Sequence, residues 1–190
     1  MARWEPDATS RLQSSAFELF AQYGYEAVTI AEIAENAGLT KRTFFNHFKD
    51  KREILFAGAR SFEESVVTEL RGASLELTPL SAVIQALDMA GRELERYREF
   101  GKARRGMIAS SSELRERDLI KIDSLAKAMQ HELVGRGVGP IRATIAAQVG
   151  ISIFNMAYDD WIDEDQTSLS GLIQRYLSEV GSVVGQALPK

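Results

Sequence analysis

The stretch Thr29–Arg52, TIAEIAENAGLTKRTFFNHFKDKR, carries two short helical signals with a glycine between them. Thr29 and Glu32 have the spacing of a capping box, and Ile30, Ile33, Ala34 and Ala37 keep helical rhythm for about two turns before Gly38 offers a left-handed exit. Thr40 then stands as the N-cap of a second run through about Asn46. Two helices this short, joined through Ala37-Gly38-Leu39, are what a helix-turn-helix requires. Leu39, Phe44 and Phe48 supply the core side of the second helix and leave Lys41, Arg42, Thr43, Phe45, Asn46 and His47 available outside.

That outer set has the chemistry of duplex DNA recognition. Arg42 can fork onto guanine O6 and N7, Thr43 can bond a base edge or touch a thymine methyl, and Asn46 can pair with adenine. Thr29, Thr40, His47 and Lys51 suit phosphates, three of them at helix N-termini where free backbone N–H groups favour an anion. The charge distribution agrees. The chain is formally −4 with a pI near 5.4, yet residues 1–60 balance eight Lys/Arg against eight Asp/Glu, and Thr40–Arg52 alone carries +4. An acidic total argues against a sequence-indifferent DNA-packaging protein, whose binding would rest almost wholly on phosphate neutralisation.

Outward from this segment, helices are expected nearly everywhere. Leu12, Ala16, Leu19, Phe20 and Tyr23 form one apolar stripe that Gly24 can end. Asp50 with Glu53 has capping-box spacing and is expected to open a long helix to about Arg71. Further helices are expected over roughly 79–99, 101–109, 113–134, 140–163 and 168–187, with Pro79 and Pro140 at first helical turns and Pro6 and Pro189 at the chain ends. No strand-like alternation survives past a few residues, so the fold class is all-α. The expected organisation is a three-helix helix-turn-helix DNA-binding domain over 1–55 and a larger helical ligand-binding and dimerisation domain over 56–190.

At Ile33–Leu55, IAENAGLTKRTFFNHFKDKREIL, the chain resembles the TetR/AcrR family of one-component transcriptional regulators, over about residues 9–56. The resemblance implies a homodimeric regulator, usually a repressor, that leaves a near-palindromic operator when a small molecule binds. The family commonly has tyrosine at the place of Phe45 and often a small residue at that of Arg42. The first departure removes a hydroxyl that bonds phosphate and leaves Phe45 to press on a thymine methyl or sugar; the second bears on operator preference.

Catalysis has no positive signal. The chain holds no cysteine and two histidines, which excludes disulfides, thiolate sites and a cysteine nucleophile and leaves His47 with no neighbouring histidine to complete a metal site. His131 is read as an exposed or helix-end residue, and Asp159, Asp160, Asp163, Glu164 and Asp165 as a solvated helix end without the ligand spacing of a calcium loop. Gly135, Gly137 and Gly139 read as an interhelical loop, since no strand precedes them. No cofactor is expected. The alternative is a helical small-molecule-binding protein or enzyme whose N-terminal helices only pack.

Met89, Phe100, Met107, Met129, Phe154, Asn155, Tyr158 and Trp161 are the candidate lining of a site for a small apolar or amphipathic effector, because methionine and aromatic surface adapts to varied shapes. Gly171, Ser178, Gly181 and Gly185 recur with Leu172, Leu177, Val180, Val184 and Leu188 in the last helix, a mixture that lets a partner helix approach and points to a homodimer through the last two helices. No apolar run approaches the roughly 20 residues of a membrane span, and Arg3, Glu5 and Asp7 leave no apolar signal-peptide core, so the expected location is cytoplasmic.

Overall fold

The computed structural model describes residues 7–164 and 167–187; Arg3, Glu5, Pro6, Asp165, Leu188 and Pro189 lie outside the described residues. Among the described residues the regular elements are all helical. In chain order they are α1 (Ala8–Tyr23), α2 (Ile30–Asn36), α3 (Lys41–His47), α4 (Ala59–Gly72), α5 (Pro79–Gly91), α6 (Arg98–Ser110), α7 (Ser112–Gly135), α8 (Pro140–Asp163) and α9 (Leu169–Ala187). Two 3-10 segments, Arg52–Phe56 and Arg92–Tyr97, join neighbouring helices.

Local chemistry places the ends of the N-terminal helices. The Asp7 carboxylate accepts the Ser10 amide at 2.7 Å to cap α1, and Gly24, at φ 83°, ends it. At α2 both halves of the Thr29/Glu32 capping box are formed. Its exit is a Schellman turn, in which the Leu39 amide bonds the Ala34 carbonyl at 2.7 Å and the Gly38 amide that of Glu35 at 2.9 Å, with Gly38 at φ 64°.

The chain forms two compact units. One contains the residues through Ala59 together with Ala103–Asp118; the other contains Arg60–Lys102 and the chain from Leu119 on. In the first, Leu12, Ala16, Ile33 and Phe44 meet the consecutive Ile54, Leu55 and Phe56, and Ile108 and Leu114 from the second segment join them. In the other, α8 lies against α5 and α9. Gly150 permits the closest α5–α8 approach, since a Cβ there would overlap Val83 Cγ1.

Two expected long helices are broken. Asp50 does accept the Glu53 amide at 3.1 Å, but the Glu53 carboxylate bonds Arg117 instead of closing the box, and the turn it opens is a 3-10 segment. That segment buries Ile54, Leu55 and Phe56 in succession, and α4 starts only at Ala59. The helix expected over 79–99 stops at Gly91, where Leu169 and Phe154 crowd the backbone within 3.1–3.3 Å of a would-be Cβ. The polar run Arg92–Tyr97, none of it buried, takes tighter 3-10 turns, so α6 begins at Arg98 and not near 101.

Candidate nucleic-acid interface

The face of α3 is set by one buried ring. Phe44 is 0% exposed and packs against Phe48 with ring centroids 5.4 Å apart. With Phe44 turned inward, Lys41, Arg42, Phe45, Asn46 and His47 are all exposed, and Phe45, 55% exposed, stands edge-on to Phe44 at 5.6 Å. Thr43 is half-buried, and its hydroxyl lies 2.9 Å from that of Thr40. Thr40 also accepts the Thr43 amide at 3.1 Å as the cap of α3. His47 Nδ1 lies 3.1 Å from the Thr9 hydroxyl at the start of α1.

At the start of α2, the Thr29 amide and hydroxyl donate to Glu32 Oε2 at 2.7 and 2.8 Å. These bonds hold the Glu32 carboxyl below its ordinary pKa, so a carboxylate already sits on this helix N-terminus. Lys51, expected on phosphate, lies with its ammonium against the chain preceding α2: Nζ donates to the Tyr25 carbonyl at 2.7 Å and to that of Val28 at 3.0 Å, over the Tyr25 ring at 4.2 Å. Burial, aided by nearby carboxylates, pushes the Tyr25 hydroxyl pKa upward and keeps it neutral.

Residues without a local sequence signal hold this surface in place. Buried Ser15 donates from α1 to the Ile33 carbonyl at 2.8 Å, and the Asn36 amide reaches Ser15 at 3.1 Å. The Arg11 guanidinium donates to the Ala37 carbonyl at 2.6 Å. Below α3, Arg52 bridges Asp50 at 2.7 Å and Glu113 at 3.0 Å. Partial burial works against ionisation of Asp50, but bonds from Arg52 and the Glu53 amide outweigh it and hold the carboxyl below its ordinary pKa. Each links positions at least 18 residues apart, except the pair Arg52–Asp50.

The profile of bacterial regulatory proteins of the tetR family matches residues 12–57, the stretch that holds α1, the helix-turn-helix and the 3-10 segment after it. Over this stretch the chain is similar to the tetR family. It is 34% identical over 73 residues to the HTH-type transcriptional regulator TcmR of Streptomyces glaucescens, a match covering 38% of this chain and 32% of TcmR. The chain thus spans about a third of the length of that curated relative. Across nearly the whole fold it is similar to the TetR family transcriptional regulator PfmR of Thermus thermophilus, with 25% identity, a TM-score of 0.51 and 87% of this chain and 94% of that one covered. The fold is shared also with Thermus thermophilus FadR, described as a TetR family transcriptional repressor in complex with lauroyl-CoA, at 18% identity and a TM-score of 0.54, covering 90% and 91% of the two chains.

The expected effector-lining residues do not all meet. Phe62, Phe154, Tyr158 and Trp161 form an aromatic ladder with successive centroids 5.4, 6.1 and 5.7 Å apart. Met129, 0% exposed, belongs to the same core. Asn155 and Phe100 are half-buried, and Met89 is 41% exposed. Met107 packs with the N-terminal core, because the segment carrying it belongs to that unit. His131 is exposed, and among the described residues no cluster of His, Asp and Glu has the makings of a metal site. Asp160 accepts a bond from the Tyr176 hydroxyl, which raises the tyrosine pKa. Among the described residues no helix is long and apolar enough to cross a membrane.

Proposed function

We propose that the protein is a sequence-specific DNA-binding transcriptional regulator that works as a homodimer on a near-palindromic operator and is released by a small apolar or amphipathic effector. The observation that carries this reading is the outer face of α3, where Lys41, Arg42, Phe45, Asn46 and His47 are all exposed on a helix pinned by a fully buried Phe44. Arg42, Thr43 and Asn46 read base edges in the major groove, Phe45 touches a thymine methyl or sugar, and Lys41, His47, Thr29 and Thr40 follow the phosphates. Residues 1–55 supply this reading head and residues 56–190 the effector and dimer functions. The protein carries out no catalysis and acts in the cytoplasm, where its DNA is. Arg42→Ala is expected to cost about 1–3 kcal/mol on the preferred duplex and to relax one base position, with little change on random DNA. Titration of both duplexes by fluorescence anisotropy measures this; equal losses on the two would remove Arg42 from base readout.

The homodimer reading is supported by an unusual run of exposed apolar side chains. Ile141 (77%), Ile145 (57%) and Met156 (43%) fall on one stripe of α8, opposite the face that buries Ala143, Ala147 and Phe154. On α9, Gly181 and Gly185 are exposed beside Val183 and Val184. Such a surface is covered in oligomers more often than left to water. Gly181→Arg places an unpaired charge in that contact and should turn the dimer into monomers in sedimentation velocity at micromolar concentration; a wild-type monomer at that concentration would refute the interface. For the effector, Met89, Phe100, Met129, Phe154, Asn155, Tyr158 and Trp161 are the proposed contacts, and the fold neighbour FadR, in complex with lauroyl-CoA, supports a ligand role for this architecture. An effector releases the operator only if it binds the non-binding arrangement of the dimer more tightly than the binding one.

A further inference from the structure

We infer that Lys51, with Arg11 as its counterpart, is a positioning residue for the DNA-reading helices and not a phosphate contact; this rests on the DNA-binding reading above. The two cations hold opposite ends of α2. Before the helix, the Lys51 ammonium donates to the carbonyls of Tyr25 at 2.7 Å and Val28 at 3.0 Å, faces that of Glu26 at 3.5 Å, and lies 4.2 Å above the Tyr25 ring. After it, the Arg11 guanidinium donates to the Ala37 carbonyl at 2.6 Å in the turn leading to α3.

An ammonium has three N–H donors, and here three carbonyls converge on them. None of those carbonyls belongs to a regular helix, and two of them belong to buried residues, Tyr25 at 6% and Val28 at 3% exposed. Moving the ammonium to a phosphate would leave these acceptors without their cation and take the charge off the ring, a loss that a solvated phosphate contact does not readily repay. The basic segment therefore divides by role. Lys41, Arg42 and Lys49 are exposed, whereas Arg52 is bonded to Asp50 and Glu113 and Lys51 to the backbone. Lys51 acts through the chain it holds, by fixing where α2 begins and hence where α3 lies.

The test is Lys51→Met, which keeps the stem over Tyr25 and removes only the ammonium. On the duplex preferred by the wild type, affinity should fall about tenfold while the slope of log affinity against log salt stays unchanged, and affinity for random DNA should hold. Amide hydrogen exchange in free protein should quicken across residues 25–36. A slope reduced by about one, with equal losses on both duplexes, would make Lys51 a phosphate contact and overturn the proposal. Unchanged exchange would overturn the clamp whatever the DNA result. A wild type that prefers no duplex would instead sink the DNA-binding reading, and with it the functional half of this proposal, while quickened exchange would still uphold the clamp. If Lys51→Met fails to fold, Lys51→Gln, which removes the charge but keeps a hydrogen-bond donor, carries the same measurements.

Discussion

Phe44→Ala is expected to destabilise the N-terminal unit by about 3–5 kcal/mol and to abolish selective DNA binding. The ring is 0% exposed, touches Phe48 at 5.4 Å, and shares its core with Leu12, Ala16 and Ile33 from the two preceding helices. Phe44 is the buried residue within α3, and Phe48, its C-cap, enters the same core just beyond it. Truncation leaves a cavity that three short elements cannot collapse around without moving the reading face. The adjacent Phe45→Ala separates stability from readout. Phe45 is 55% exposed, so its loss should leave stability within about 0.5 kcal/mol while weakening binding to the preferred duplex. Denaturant titrations of both variants, followed by circular dichroism, decide the order; equal destabilisation would mean that α3 does not present these faces.

Trp161→Ala should cost about 3–5 kcal/mol in the other unit. Trp161 is 3% exposed, lies tilted against the Tyr158 ring at 5.7 Å, and has the Arg98 guanidinium 5.1 Å from its ring. Arg98 also donates to the backbone carbonyls of Trp161 and Glu164, so the ring is one side of a cage that closes the end of α8. Removing the indole takes away a large buried surface and a cation–π partner together. A loss below about 1 kcal/mol, read from the denaturation midpoint, would show the indole bordering open space and not close packing. That outcome would favour a preformed effector cavity over one opened by the ligand.

The helix-turn-helix was legible because each of its signals is local. Thr29 with Glu32, Gly38 at positive φ, Thr40 as a cap and Phe44 with Phe48 turned inward all act within one or two turns, and each is formed as the spacing implies. What escaped depends on partners far along the chain. Glu53 looks like the closing residue of a capping box, but its carboxylate is taken by Arg117, 64 residues away, and the first turns of the expected long helix become a 3-10 segment, with the α-helix starting at Ala59. Lys51 has the local look of a phosphate contact and Arg11 carries no local signal, while the carbonyls that receive them lie 23 to 26 residues away. Composition groups Met107 with the effector core, yet Ala103–Asp118 packs with the N-terminal unit through Ile108 and Leu114. Periodicity shows which face of a helix is apolar; it does not show which core that face enters.

The central claim is that α3 reads base sequence as one of two symmetry-related helices. It is tested most directly by incubating the purified protein with a pool of random duplexes and sequencing those retained. The account predicts one enriched, near-palindromic sequence whose half-sites are about 34–36 Å apart along one face of the duplex, or a small multiple of that spacing. Retention of the pool without enrichment, or enrichment of a single asymmetric half-site, would contradict it.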